Sequence, residues 1–144
     1  MIHSKYDVMK QCISEMNFPD YRYEQLINMI FTQRIPDFHA MYMLPERLRA
    51  NLAEAIGASV CGLVPAAHQA SSQADKVLFQ LKDGNCVETV DLHYKKGSES
   101  FCISSQCGCG FGCKFCATGA IGHKRNMTAD EITDQILYFY LAGH

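Results

Sequence analysis

Apolar residues along the chain follow two rhythms. In the first half they recur every three or four positions, the spacing of one helix face. Met9, Cys12, Ile13 and Met16 define a first helix, and Tyr23, Leu26, Ile27, Ile30 and Phe31, after Pro19–Asp20, a second. A third begins near Pro45, a residue suited to the first helical turn. It carries Leu48, Leu52 and Ile56 and stops at Gly57. Three short amphipathic helices predict a small bundle. The small, polar residues 66–75, AAHQASSQAD, have the composition of a linker. The rhythm then changes to two. KVLFQL and CVETVDL flank KDGN, whose Asp83-Gly84 is a strong hairpin signal. A third extended run, SFCISSQ, leads into a stretch crowded with cysteine. Beyond it, Thr128 and Glu131 form a capping box that opens a helix carrying Ile132, Ile136, Leu137, Tyr140 and Leu141.

The expected class is α/β, in three parts. Residues 1–70 form a helical domain, 71–97 a linker and β-hairpin, and 98–144 the strand–loop–helix start of a larger α/β domain. A strand followed by one helix is half of a βαβ unit, and parallel strands need covered neighbours. The apolar stripe of the last helix is therefore expected to lack a cover, which favours association and poor solubility.

Composition narrows the setting. Apolar residues make up 48% and charged residues 19% of the 144, as in ordinary globular proteins. No apolar run approaches the roughly 20 residues of a membrane-spanning helix. The N-terminal MIHSKYDVMK lacks the basic-then-apolar layout of a signal peptide. A cytoplasmic location without membrane attachment is expected. Net charge is −2, with lysine and arginine spread evenly between the halves, so composition alone points to no nucleic-acid partner.

A reducing compartment changes what eight cysteines mean, because clustered thiols there serve as metal ligands or redox groups more often than as a disulfide framework. Four of them fall in CGCGFGCKFC, Cys107 to Cys116. Zinc sites take their ligands as two separated pairs, which one short loop supplies poorly. A buried structural role sits badly with glycine, lysine and glutamine neighbours. An iron–sulfur cluster on Cys109, Cys113 and Cys116, spaced C-x3-C-x2-C, suits the pattern best. Glycines at 108, 110 and 112 would let the backbone wrap the cluster and turn N–H groups towards its sulfides. Three thiolates on four irons leave one iron open, the kind of site where a substrate or cofactor binds. The alternative is a zinc- or iron–sulfur-binding interaction module without enzymatic activity.

The C-x3-C-x2-C loop with an aromatic before its last cysteine resembles the radical S-adenosylmethionine (SAM) superfamily. More narrowly, FCISSQCGCGFGCKFCATGAIGHKRNMTADEITDQ is similar to the ribosomal RNA adenine methyltransferases RlmN and Cfr. Cys107, where RlmN-type members usually carry an aliphatic residue, makes it more similar to Cfr. DYRYEQLINMIFTQRI and KVLFQL…VETV extend the resemblance over essentially the whole chain. It implies a 4Fe-4S cluster that chelates SAM, a (β/α)6 partial barrel, 23S ribosomal RNA as substrate and an electron donor such as flavodoxin. A complete member is expected to be monomeric, and Cfr-type methylation at carbon 8 or carbon 2 of a peptidyl-transferase-centre adenosine implies antibiotic resistance. In this family a methylated cysteine becomes a methylene radical that adds to the adenine, joining enzyme and RNA. Release needs a base for the ring proton and a second thiol that takes the carrier sulfur as a transient disulfide.

The resemblance assigns the resolving thiol to Cys102, seven positions before Cys109, and the proton acceptor to Glu88. Alternation in SFCISSQ puts Cys102 with Ser104 and Gln106 on the polar face of its strand, expected to point inward; an inert buried thiol is the competing reading. Alternation puts Glu88 with Cys86, Val90 and Leu92, an apolar face that would raise a carboxyl pKa and suit a base. An exposed residue of a two-faced hairpin is the alternative there. Cys12, Cys61 and Cys86 are expected in the core, Cys107 is given no ligand role, and the six histidines show no ligand spacing. Lys95, Lys96, Lys114, Lys124 and Arg125 are candidate phosphate contacts or a solvated face. Family members run to more than twice this length, and none of the eight cysteines matches the methyl carrier. The chain by itself is expected to be inactive.

Overall fold

A computed structural model describes residues 4–95 and 97–143. The chain divides into two compact units, one of Met1–Gly62 with Tyr140–His144, the other of Leu63–Phe139.

The first unit is helical, and residues 64–70, expected in the helical domain, lie outside its helices. Its helices are α1 (Lys5–Glu15), α2 (Tyr21–Phe31) and α3 (Glu46–Ile56), with a 3-10 turn at Phe38–Ala40. Ser4 and Asp7 cap α1 reciprocally, and Gly57, at φ +124°, ends α3 where an L-residue would be strained. Met9, Leu26, Met29, Ile30, Phe38, Leu48 and Leu52 fill the core. On α2 the inner stripe includes Met29 and leaves Phe31 on the surface.

The second unit is built on an antiparallel sheet in the order β1 (Val64–Ala70), β2 (Ala74–Gln80), β3 (Cys86–His93) and β4 (Glu99–Cys102). The β2–β3 hairpin turns at Asp83-Gly84 as expected, with Gly84 at φ +83°. Residues 66–75 differ from the expected linker: 66–70 belong to edge strand β1 (64–70), and 74–75 begin β2. All seven residues of β1 are exposed, so main-chain bonding to β2 sustains the strand and no apolar rhythm marks it. The run SFCISSQ also divides. Its start is β4, antiparallel to β3, and its end is the two-residue β5 (Gln106–Cys107), which pairs with β6 (Arg125–Asn126). Among the described residues every ladder is antiparallel.

The sheet has a covered and an open face, and β3 shows them reversed from expectation. Val87, Thr89 and Asp91 point inward, while Cys86 and Glu88 are exposed. CVETVDLH carries apolar residues in both phases, so the partner strand decides. Register sets Phe79 opposite Val87 and Val77 opposite Thr89, and both β2 residues are fully buried. Asp75 and Asp91 share that inner face, with His93 Nε2 at 3.8 and 3.3 Å from their carboxylates. These histidine contacts place His93 in a polar part of the interior.

Two helices complete the unit, α4 (Ala117–Ile121) and α5 (Ala129–Ala142). Thr128 and Glu131 cap α5 as the sequence predicts, through Glu131 N–H to Thr128 Oγ1 (3.2 Å) and Thr128 N–H to Glu131 Oε2 (2.9 Å). The buried face of α5 shares only Leu137 with the expected stripe and otherwise carries Asp134, Gln135 and Phe139. Tyr138 meets Phe79 edge-on at 4.9 Å between ring centroids, and Phe139 packs on Phe101 at 5.6 Å. Ile136 stays exposed. The sheet covers the Tyr138–Phe139 side of the helix, and Ile136 of the expected stripe is left uncovered.

Candidate functional site

The cysteine loop is closed at its base by backbone. β5 pairs with β6, and Lys124 N–H donates to the Cys107 carbonyl at 2.9 Å. Gly108 makes this closure sterically feasible. Its φ is +75°, and a Cβ on it would lie 1.9 Å from the Gly122 carbonyl oxygen. Further on, a Cβ on Gly119 would lie 3.0 Å from the Cys113 nitrogen, so α4 rests against the backbone of the loop. Cys116 N–H donates to the Cys113 carbonyl at 3.1 Å.

Within this frame the three motif thiols are unpaired with one another. Cys109 and Cys116 are half-buried and Cys113 is exposed. Backbone N–H groups of Gly119 and Thr118 hold the Cys116 thiol below its ordinary pKa, which favours the thiolate a metal requires. Burial pushes the neighbouring Cys107 the other way. Phe111 and Phe115 stand out from the loop, 90% and 94% exposed. Among the described residues no three His, Cys, Asp or Glu side chains converge as a metal-binding group. The donor set fits an iron–sulfur cluster chemically, and binding one would require the loop to draw its thiols together.

Glu88 and Cys102 share the open face of the sheet. Cys102 lies directly opposite Val90, and Glu88 is two residues along the same face of β3. Such a diagonal pair has Cα atoms roughly 7–8 Å apart. Both residues are exposed, so Cys102 does not point inward as expected. Glu88 shares its face with Cys86, Val90 and Leu92 as expected, but that face is open: its side chain is 51% exposed and its carboxylate meets Lys76 Nζ at 3.1 Å. Ala67, Gln69, Lys76, Leu78 and Glu88 line a shallow hollow of about 160 Å³ on this face.

A residue that motif reading passes over ties these parts together. Gln135, fully buried on α5, accepts from Thr89 Oγ1 at 2.7 Å and from Ser104 N–H at 2.8 Å, and its amide nitrogen donates to the Ser104 carbonyl at 2.7 Å. The signal for it was positional: Gln135 lies three and four residues before Tyr138 and Phe139, on the aromatic side of the helix. Arg125, a candidate phosphate contact or part of a solvated face, is engaged by two carboxylates. It donates to Asp83 Oδ2 at 2.5 Å and to both oxygens of Glu131 at 2.8 Å. These bonds hold both carboxyls below the usual carboxylate range. Lys95, Lys114 and Lys124 are exposed, and Lys96 lies outside the described residues.

Comparison with known proteins adds descent to this geometry. No protein-family profile matches the chain. The Cfr ribosomal RNA large subunit methyltransferase of Lachnoclostridium phytofermentans is 66% identical over 144 residues, all of this chain and 42% of its own length. In sequence, the whole chain is similar to the first part of the Cfr methyltransferases. The Cfr proteins of Clostridium botulinum (strain Langeland) and Staphylococcus aureus are 58% and 53% identical over 141 residues, 98% of the chain and 41% and 40% of their own lengths. The chain thus spans about two fifths of these Cfr relatives. A radical SAM methyltransferase from Sphaerobacter thermophilus, known by crystal structure, superposes with a TM-score of 0.81 at 33% identity, over 92% of this chain and 39% of that one.

Proposed function

We propose that this chain carries the cluster loop, the proton acceptor and the resolving thiol of a Cfr-type radical SAM 23S ribosomal RNA adenine methyltransferase. Methylation at carbon 8 or carbon 2 of a peptidyl-transferase-centre adenosine, and with it antibiotic resistance, belongs to the complete protein, acting in the cytoplasm with an electron donor such as flavodoxin. The complete protein acts as a monomer, and residues 98–144 begin its (β/α)6 partial barrel. What supports the reading is the meeting of Glu88 and Cys102 on one open sheet face whose edge strand runs on into the three-cysteine loop.

In this reading Cys109, Cys113 and Cys116 would hold a 4Fe-4S cluster that binds SAM. The cluster supplies the electron for reductive cleavage of SAM. The chain's own residues do the rest of what can be assigned here. Exposure on an open face lets Glu88 reach a ring carbon and take its proton, with Lys76 keeping a cation beside the carboxylate. Cys102, one strand over, bonds to the carrier sulfur as that sulfur's bond to the RNA-linked carbon breaks. The carrier cysteine itself belongs to the complete protein.

Anaerobic reconstitution of the chain tests the first step. Iron and sulfide should be taken up near the stoichiometry of one four-iron cluster, with a broad visible absorbance that shifts when SAM is added. Cys109→Ala, Cys113→Ala or Cys116→Ala should each abolish uptake. Tightly held zinc, no colour and no response to SAM would overturn the assignment in favour of a non-enzymatic metal module.

A further inference from the structure

We infer that Gln135 is a positioning residue that holds the proton acceptor and the resolving thiol in one geometry, through a polar clamp on Thr89 and Ser104. The inference rests on the roles proposed above for Glu88 and Cys102. The clamp is closed on every side. The Gln135 carbonyl oxygen accepts from Thr89 Oγ1 and from Ser104 N–H, which uses both its lone pairs. The amide nitrogen donates to the Ser104 carbonyl at 2.7 Å and the Glu131 carbonyl at 3.2 Å, which uses both its hydrogens. An inverted amide would set N–H against N–H at Ser104, so the network itself fixes the orientation.

The geometry is that of a borrowed ladder. β4 ends at Cys102, and two residues later Ser104 turns both its backbone groups to one side-chain amide on α5. From the other side Ser104 Oγ donates to the Glu88 carbonyl at 2.8 Å. The Glu88–Thr89 segment is therefore held twice, at the Glu88 carbonyl by Ser104 Oγ and at the Thr89 hydroxyl by Gln135 beneath the sheet. Glu88 and Cys102 each lie within two residues of a clamped position, on the face opposite Gln135. Burial makes the clamp rigid, since Gln135 and Thr89 are both fully buried and any unmade bond there leaves a polar group without water.

Thr89→Val removes one bond at constant shape, Thr89→Ser retains it, and Gln135→Met removes the clamp with little change in volume. In the complete methyltransferase, loaded with cluster and SAM, Thr89→Val and Gln135→Met should lower release of methylated RNA by about tenfold or more. The protein–RNA adduct should accumulate in proportion, while iron content stays unchanged and Thr89→Ser behaves as wild type. A purely structural role would instead lower iron content, adduct and product together, and that outcome would overturn the inference. Glu88→Gln and Cys102→Ala serve as references. If these two also fail to trap adduct, the roles proposed for them are wrong; if they trap it and the clamp variants do not, only the clamp is wrong. In the 144-residue chain the Ser104 amide should exchange its hydrogen at least about tenfold faster in Gln135→Met than in wild type, and equal protection would also refute the clamp.

Discussion

Gly108→Ala is the most demanding single substitution the cysteine loop offers. The new Cβ would sit 1.9 Å from the Gly122 carbonyl oxygen, against the 3.4 Å at which ordinary contact begins. The obstacle is backbone, held in place by the Lys124 N–H to Cys107 carbonyl bond, so no side chain can swing aside. Two costs combine. A left-handed φ of +75° costs an alanine about 1–2 kcal/mol, and forced overlap in packed surroundings costs about 1–3 kcal/mol. Gly112→Ala is the internal control. Its φ is +61° with nothing within 4 Å of the new methyl group, so only the first cost applies. Gly110→Ala meets nothing nearer than His123 Cβ at 3.7 Å and should be close to neutral. For a unit of this size, thermal melting should fall on the order of 10 °C or more for Gly108→Ala and about 5 °C for Gly112→Ala. Circular dichroism melts of the three variants and wild type measure this. Equal destabilisation by Gly108→Ala and Gly112→Ala would refute the reasoning, because the close approach to Gly122 is the sole difference claimed between them.

Two further outcomes follow from the electrostatics. Arg125 lowers the pKa of Asp83 and Glu131 in the folded state, chiefly through its side-chain hydrogen bonds, so the stability they contribute is present above the unfolded carboxylate pKa near 4 and is lost as pH falls through the folded values. Urea midpoints should therefore drop more between pH 7 and pH 3 in wild type than in Arg125→Met, and equal drops would count against the triad. In the metal-free chain, iodoacetamide at neutral pH should label Cys116 well ahead of Cys107, since backbone N–H groups favour the first thiolate and burial disfavours the second. Peptide mapping over time reads the order, and faster labelling of Cys107 would contradict it.

Local chemistry explains what the sequence settled unaided. Helix periods, the Gly57 stop, the Asp83-Gly84 turn and the Thr128–Glu131 cap are short-range devices, and each acts through residues a few positions apart. The three-cysteine spacing is equally local, as is its likeness to the radical SAM methyltransferases. Four other features depended on distant partners. β1 exists because β2 offers it hydrogen bonds, although AAHQA carries no strand rhythm. The face of β3 was decided by Phe79 and Val77 across the ladder, which turned Glu88 outward beside Lys76. Arg125 was paired at the surface by Asp83, 42 residues away in sequence. Gln135 became a buried clamp only once Thr89 and Ser104 were brought to α5. Spacing along a chain specifies which atoms are near by covalent necessity; which face is covered, and which polar group finds its partner, is set by burial and register between segments that meet only in the folded state.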